Sequence, residues 1–194
     1  MNQATAKQVT DKRQAILDAT LTLISERGFH GTAMSQVAKE AKVSTGIIYH
    51  YFASKDELIS ELHLAIKHKI ARATMQNFDL NEPVKRQIQQ FLRNAIRYSI
   101  WHPQESAFIE PYDRSPYQHK EVDAEVSRYY TAMIACFEQA KKEQIIKDLP
   151  IPIIYLFTMG IATSLGQKHA SGQLELTDTL IEQVIETSWE AIRG

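Results

Sequence analysis

Residues 28–59 read GFHGTAMSQVAKEAKVSTGIIYHYFASKDELI, and their spacing predicts the end of one helix and the starts of three more. Gly28 stands where a helix stops in the left-handed conformation that glycine adopts without a Cβ clash. Upstream of it Ile16, Leu17, Thr20, Leu21 and Ile24 keep the spacing of one buried helical face. Thr32 is predicted to cap a short helix from Ala33 to Ala41, with Val37, Ala38 and Ala41 turned inward. Ser44 caps a third helix in which Ile48 and Phe52, four apart, share a face. Ser54 and Glu57 form a capping box that opens a fourth helix along Leu58, Ile59, Leu62, Ile66 and Ile70.

The pattern outward from this stretch remains helical. Further helices are predicted from about Pro83 to Trp101, from Gln104 to Ile109 and from about Tyr117 to Glu143, broken by His102-Pro103 and by PYDRSP. IPIIYLFTMGIATSLGQKH, from Ile151 to His169, is largely apolar without turn chemistry and is expected to be a buried helix with Pro152 in its first turn. Thr177 is expected to cap the last helix, with Leu180, Ile181, Val184, Ile185, Ser188, Trp189 and Ile192 on one stripe. The expected fold is all-α.

Composition narrows the function classes. The 194 residues are 44% hydrophobic and 23% charged, a globular balance, and no apolar run reaches the roughly 18 residues of a membrane span. The single cysteine, Cys136, excludes an internal disulfide and a Cys-x-x-Cys centre, so the reading carries no metal site and no cofactor. The N-terminal stretch has no apolar core of a secretory signal, and a cytoplasmic location is expected. Net charge is −1, but residues 1–55 carry seven Lys and Arg against four Asp and Glu. A positive head on an acidic body suits an anionic partner for the head alone. An all-helical enzyme would need a nucleophile–base pair or a phosphate loop, and neither is legible.

The two short helices joined by AKVS describe a helix-turn-helix, whose second helix enters the major groove of DNA. Thr45 and Tyr49 fall on one face, opposite Ile48 and Phe52, and Gly46 leaves room for close backbone approach. Tyr49, His50 and Tyr51 can donate to phosphate, and Thr45 can reach a base edge. Lys55 lies in the first turn of the next helix, where an anion is favoured.

On Gly28-Phe29, Thr32, Val37-Ala38, Ala41, Val43-Ser44, Gly46, Tyr49, Phe52, Ser54-Lys55 and Leu58, the stretch resembles the N-terminal domain of the TetR family of transcriptional regulators. The resemblance implies an all-helical homodimer on double-stranded, palindromic operator DNA. Three N-terminal helices (residues 1–54) would bind DNA, and a larger C-terminal domain (55–194) would bind a small-molecule inducer and dimerise. It implies DNA contacts by Thr32, Ser44, Thr45, Gly46, Tyr49, His50, Tyr51 and Lys55. Lys42 departs from a frequent family glycine, and a positive φ there would cost about 1 kcal/mol. The expected function is a ligand-responsive repressor released by a small hydrophobic or aromatic effector.

Two further expectations concern the C-terminal part. A ligand cavity is expected between the segment from Tyr98 to Tyr112 and helix 117–143, walled by Tyr98, Trp101, Phe108, Tyr112, Tyr130 and Phe137 and linked to the head through helix four. The last two helices are expected to pair with their copies in a second chain through Phe157, Gly160, Ile161, Ser164, Ile185 and Trp189.

Overall fold

The computed structural model describes residues 3–118 and 124–194, with the side chains of 3–10 and 125 left aside. Its helices are α1 (Gln3–Arg27), α2 (Met34–Glu40), α3 (Thr45–Tyr51), α4 (Lys55–Thr74), α5 (Val84–Trp101), α6 (Pro103–Asp113), α7 (Ala124–Lys142), α8 (Ile151–Tyr155), a π-helical segment (Leu156–Gly160), α9 (Ile161–Ala170) and α10 (Asp178–Ile192). Among the described residues β structure is limited to one isolated bridge, Ile146 with Arg193, so the fold is all-α. The helices group into two compact units, Met1–Ile66 with Ala107–Glu121 and Lys67–Ser106 with Val122–Gly194. This division follows a different line from the expected one at residues 54/55: both α4 and α6 supply residues to each unit.

In the first unit, Ile16, Leu17, Leu21 and Ile24 of α1 are buried with Val37 and Ala38 of α2, Ile48 of α3, Phe52, and Leu58, Ile59, Leu62 and Ile66 of α4. The boundaries are set by local chemistry. Gly28 ends α1 at φ +68°, its N–H donating to the Ile24 carbonyl at 2.8 Å. The Ser44 hydroxyl accepts from the Ile47 N–H at 3.3 Å, capping α3 as the sequence predicts. Ser54 accepts from the Glu57 N–H at 3.1 Å, while the Glu57 carboxylate accepts from the Ala53 N–H at 2.5 Å. Lys42 does stand at positive φ, +54°. Thr32 corrects the expectation: α2 is capped by the backbone of Ala33 with no side-chain bond, because the Thr32 hydroxyl turns back to the Gly28 carbonyl at 2.9 Å.

In the second unit, α5 packs along α9 so closely that a Cβ on Gly166 would run into the Ser99 carbonyl. Leu92, Ala95 and Ile96 of α5 share one cluster with Ala162, Ile181 and Ile185, and Ile88 and Phe91 share another with Met133, Phe137, Ile154, Trp189 and Ile192. Across α5 and α10, Arg93 pairs with Glu182 at 2.7 Å and Lys85 with Glu186 at 2.6 Å. Thr177 caps α10 as expected, accepting from the Leu180 N–H at 3.2 Å.

Three helical expectations are revised. α6 runs through the Glu110-Pro111 step instead of ending at Ile109; the proline removes one donor inside the helix, and the helix tolerates it. Tyr117 lies in a turn, α7 is described from Ala124, and residues 119–123 of the predicted helix lie outside the described residues. The apolar helix from Ile151 is not buried within its own chain. It passes through the π segment, where the Ile161 N–H reaches the Leu156 carbonyl five residues back, and it leaves Leu156 57% and Phe157 37% exposed.

Candidate DNA-binding surface and cavity

The side chains of α3 sort by face. Ile48 is fully buried and Phe52 nearly so, while Tyr49 is 52% exposed, and Ser44, Thr45, Gly46 and His50 are exposed beside it. Tyr51 is half-buried, with its ring edge-on to His50 at 5.3 Å. The surface therefore presents hydroxyls, an imidazole and a glycine backbone on a helix whose far side is fixed in the core. Thr32 does not join it: the side chain is 1% exposed and its hydroxyl is spent within the turn, so its expected DNA contact is corrected to a structural role. Lys55 is half-buried, and its ammonium donates to the Phe29 carbonyl at 2.6 Å and lies 5.7 Å from the Tyr117 ring centroid. An ammonium has three donors, so Lys55 ties the α1–α2 turn to α4 and retains donors for a phosphate.

Sequence reading missed a ladder of rings in this unit. Tyr117 meets Phe29 at 5.7 Å, Phe29 meets Phe108 at 5.7 Å, Phe108 meets Tyr112 at 5.8 Å, and Tyr112 stacks on His63 at 3.8 Å. Such pairs add about 0.5–1.5 kcal/mol each beyond the area they bury. The signal is the aromatic spacing of α6, which reads equally as a ligand wall. Phe108 and Tyr112, buried in the first unit, are thereby corrected from cavity walls to core.

The second unit holds a cavity of about 120 Å³. α4 contributes Ile70, Ala71 and Thr74 to it, α5 Phe91, α7 Tyr129, Tyr130, Met133, Ile134 and Phe137, and the α8–π stretch Ile151, Tyr155, Thr158 and Met159; Met75 closes the α4 end. Of the expected walls only Tyr130 and Phe137 are present. Tyr98 and Trp101 line a separate, open and polar depression with Gln90, Asn94, Arg97 and His102, and Trp101 is 79% exposed. The Tyr98 hydroxyl donates to Glu105, which also pairs with Lys69 at 2.6 Å. Burial and that carboxylate push the Tyr98 phenol well above its usual range, so it stays protonated. Cys136 is buried, its thiol donating to Gln87 at 3.3 Å, and burial raises its pKa, as fits packing rather than nucleophilic chemistry.

The expected pairing face divides. Phe157 and Ser164 are exposed and Gly160 and Ile161 half-exposed, continuous with Ile153 and Leu156. Ile185 and Trp189 are buried within the chain's own clusters, with Lys85 5.7 Å from the Trp189 ring centroid. They are corrected from interface anchors to core. Helical period identifies an apolar face without saying which neighbour covers it.

A short helix anchored by Ile48 with a polar outer face, preceded by a second short helix and a tight turn, defines a helix-turn-helix DNA-binding protein. Residues 16–62 match the family described as bacterial regulatory proteins, tetR family, and residues 83–193 match the tetracyclin repressor-like C-terminal domain. The chain belongs to the TetR family and is a transcriptional regulator. An HTH-type transcriptional regulator of Haemophilus influenzae is 27% identical over 184 residues, 95% of this chain and 97% of that protein. A TetR family protein of Vibrio parahaemolyticus is 28% identical with a TM-score of 0.77, over 94% of this chain and 99% of the other. A TetR family regulator of Marinobacter aquaeolei VT8 shares the fold at a TM-score of 0.89 with 22% identity, over 97% and 99% of the two chains. Among the described residues no helix is long and apolar enough to cross a membrane.

Proposed function

We propose that the protein is a cytoplasmic, homodimeric repressor that leaves a palindromic operator when a small hydrophobic or aromatic effector fills the cavity of its second unit. The observation that carries this reading is the sorting of α3, with Ile48 held in the core and Thr45, Gly46, Tyr49 and His50 on the surface. Ser44, Tyr51 and Lys55 flank that face. A two-fold dimer presents two such helices, and an operator with two related half-sites matches them. The apolar strip of Ile153, Leu156 and Phe157, exposed in the single chain, supports pairing of two chains there.

The course of α4 supports a response to a ligand. It gives Lys55–Ile66 to the first unit and Lys67–Thr74 to the second, and its Ile70, Ala71 and Thr74 line the cavity. A compound that lowers DNA affinity tenfold must bind the DNA-free form tenfold more tightly, about 1.4 kcal/mol, by reciprocity. Fluorescence anisotropy on duplexes taken from beside the protein's own gene tests the reading. Sequence-selective binding that weakens as an effector is added is the expected result. Binding no tighter than to random DNA would refute the operator, and affinity indifferent to every cavity-binding compound would refute the response.

A further inference from the structure

We infer that the cavity takes an uncharged, compact, hydrocarbon-like compound of about one substituted ring, and not a carboxylate or an ammonium ligand; the inference rests on the effector reading above. Its walls are aromatic, aliphatic and thioether side chains, and among the described residues that line it none is charged. The lining holds five hydroxyls, those of Thr74, Thr158, Tyr129, Tyr130 and Tyr155, and the two threonine hydroxyls are already spent. Thr74 donates to the Ile70 carbonyl at 2.8 Å and Thr158 to the Ile154 carbonyl at 3.0 Å, and both are buried.

Two charged groups elsewhere in this unit, Arg93 and Glu105, are also committed. Arg93, the cation that could have received a carboxylate, is held bidentately by Glu182 with both nitrogens at 2.7 Å. Glu105, which could have received an ammonium, is bound to Lys69 and Tyr98. An ion entering the cavity would lose its hydration with no opposite charge in the lining to replace it, and the attraction of ring faces for an ammonium is smaller than the cost of burying it, which disfavours either ion. At about 120 Å³ the space resembles apolar cavities of about 150 Å³ that stay dry and take up benzene. Met75, Met133 and Met159 supply flexible walls that re-pack around the outline of the guest. Selection is therefore by size and lack of charge.

Four probes built on one isopropylphenyl ring test this on the full-length protein: cumene, 1-ethyl-4-isopropylbenzene as the uncharged probe matched in size to the ammonium, 4-isopropylbenzoate and 4-isopropylbenzylammonium. Cumene is expected to raise the Tm, and both hydrocarbons are expected to bind at least tenfold more tightly than either ion. Ala71→Leu, which adds bulk at a lining position, is expected to lose that binding with an unchanged circular dichroism spectrum. Ile134→Trp, on the exposed part of the wall, is the second occluding variant if Ala71→Leu fails to fold. An ion that binds as tightly as cumene overturns the inference. For the benzoate this is the outcome if Lys67, 5.0 Å from the Tyr130 ring centroid, captures an anion; release of operator by that ion would leave the effector reading standing. Cumene binding undiminished in both occluding variants also overturns it. If no probe binds and no lipophilic compound of any charge releases the operator, the inference and the effector reading fall together.

Discussion

Tyr49 and Lys55 are both polar neighbours of the α3 surface, but they are held differently. Tyr49 projects from the helix, so Tyr49→Phe is expected to weaken operator binding while leaving the thermal midpoint and the salt dependence unchanged. Lys55 also binds the Phe29 carbonyl, so Lys55→Ala is expected to lower both the midpoint and the affinity. A phosphate contact by Lys55 would further reduce the slope of log K against log salt by about 0.9; equal affinities in wild type and both variants would remove these residues from the interface. Lys42 sits at φ +54°, which costs a side-chain-bearing residue about 1–2 kcal/mol. Lys42→Gly trades that strain for backbone entropy and is expected to raise urea stability by up to about 1 kcal/mol; a drop would show that the Lys42 side chain stabilises the turn. Residue-level legibility was highest where chemistry is local. Ser44, Ser54 with Glu57, and Thr177 cap helices as their spacing implies, since donor and acceptor lie within four residues. Thr32 misled because two adjacent residues compete to precede α2, and the turn after Gly28 brings a carbonyl within reach of the first.

At the scale of elements, the close α5–α9 contact depends on Gly166. Gly166→Ala places a methyl against the Ser99 carbonyl, which is backbone and cannot rotate away. The helices must separate, with an expected loss of roughly 1–3 kcal/mol or more; circular dichroism melts measure it, and a midpoint within error of the wild type would show that the helices slide freely. Helices with one strong period and a recognisable cap were legible from sequence. α6 was not, because a proline inside a helix and a proline ending one read alike, and the distinction rests on tertiary contacts such as those of Phe108 and Tyr112. The same helix changes unit between Ser106 and Ala107, so aromatics close in sequence serve different cores. That is why the expected cavity wall of Tyr98, Trp101, Phe108 and Tyr112 came apart, while Tyr130 and Phe137, on one face of α7, stayed together.

For the whole molecule, two chains are expected to meet through the strip formed by Ile153, Leu156 and Phe157. Phe157→Glu introduces a charge at an exposed position, so it should leave the fold of each chain intact and shift sedimentation at micromolar concentration from dimer to monomer. An unchanged dimer would move the interface elsewhere on the surface. The π segment lies within this strip, with Leu156 and Phe157 outward and Thr158 and Met159 on the cavity. It holds one residue more than an α-helix would, and each residue of an α-helix turns the chain by about 100°. Loss of one residue between 156 and 160 would rotate everything before it by that angle, exchanging which side chains see the guest and which see the partner. In this lineage, then, insertion or deletion rather than substitution is the genetic event that re-aims both surfaces at once. Relatives with a plain α-helix here should align with a one-residue gap at this point.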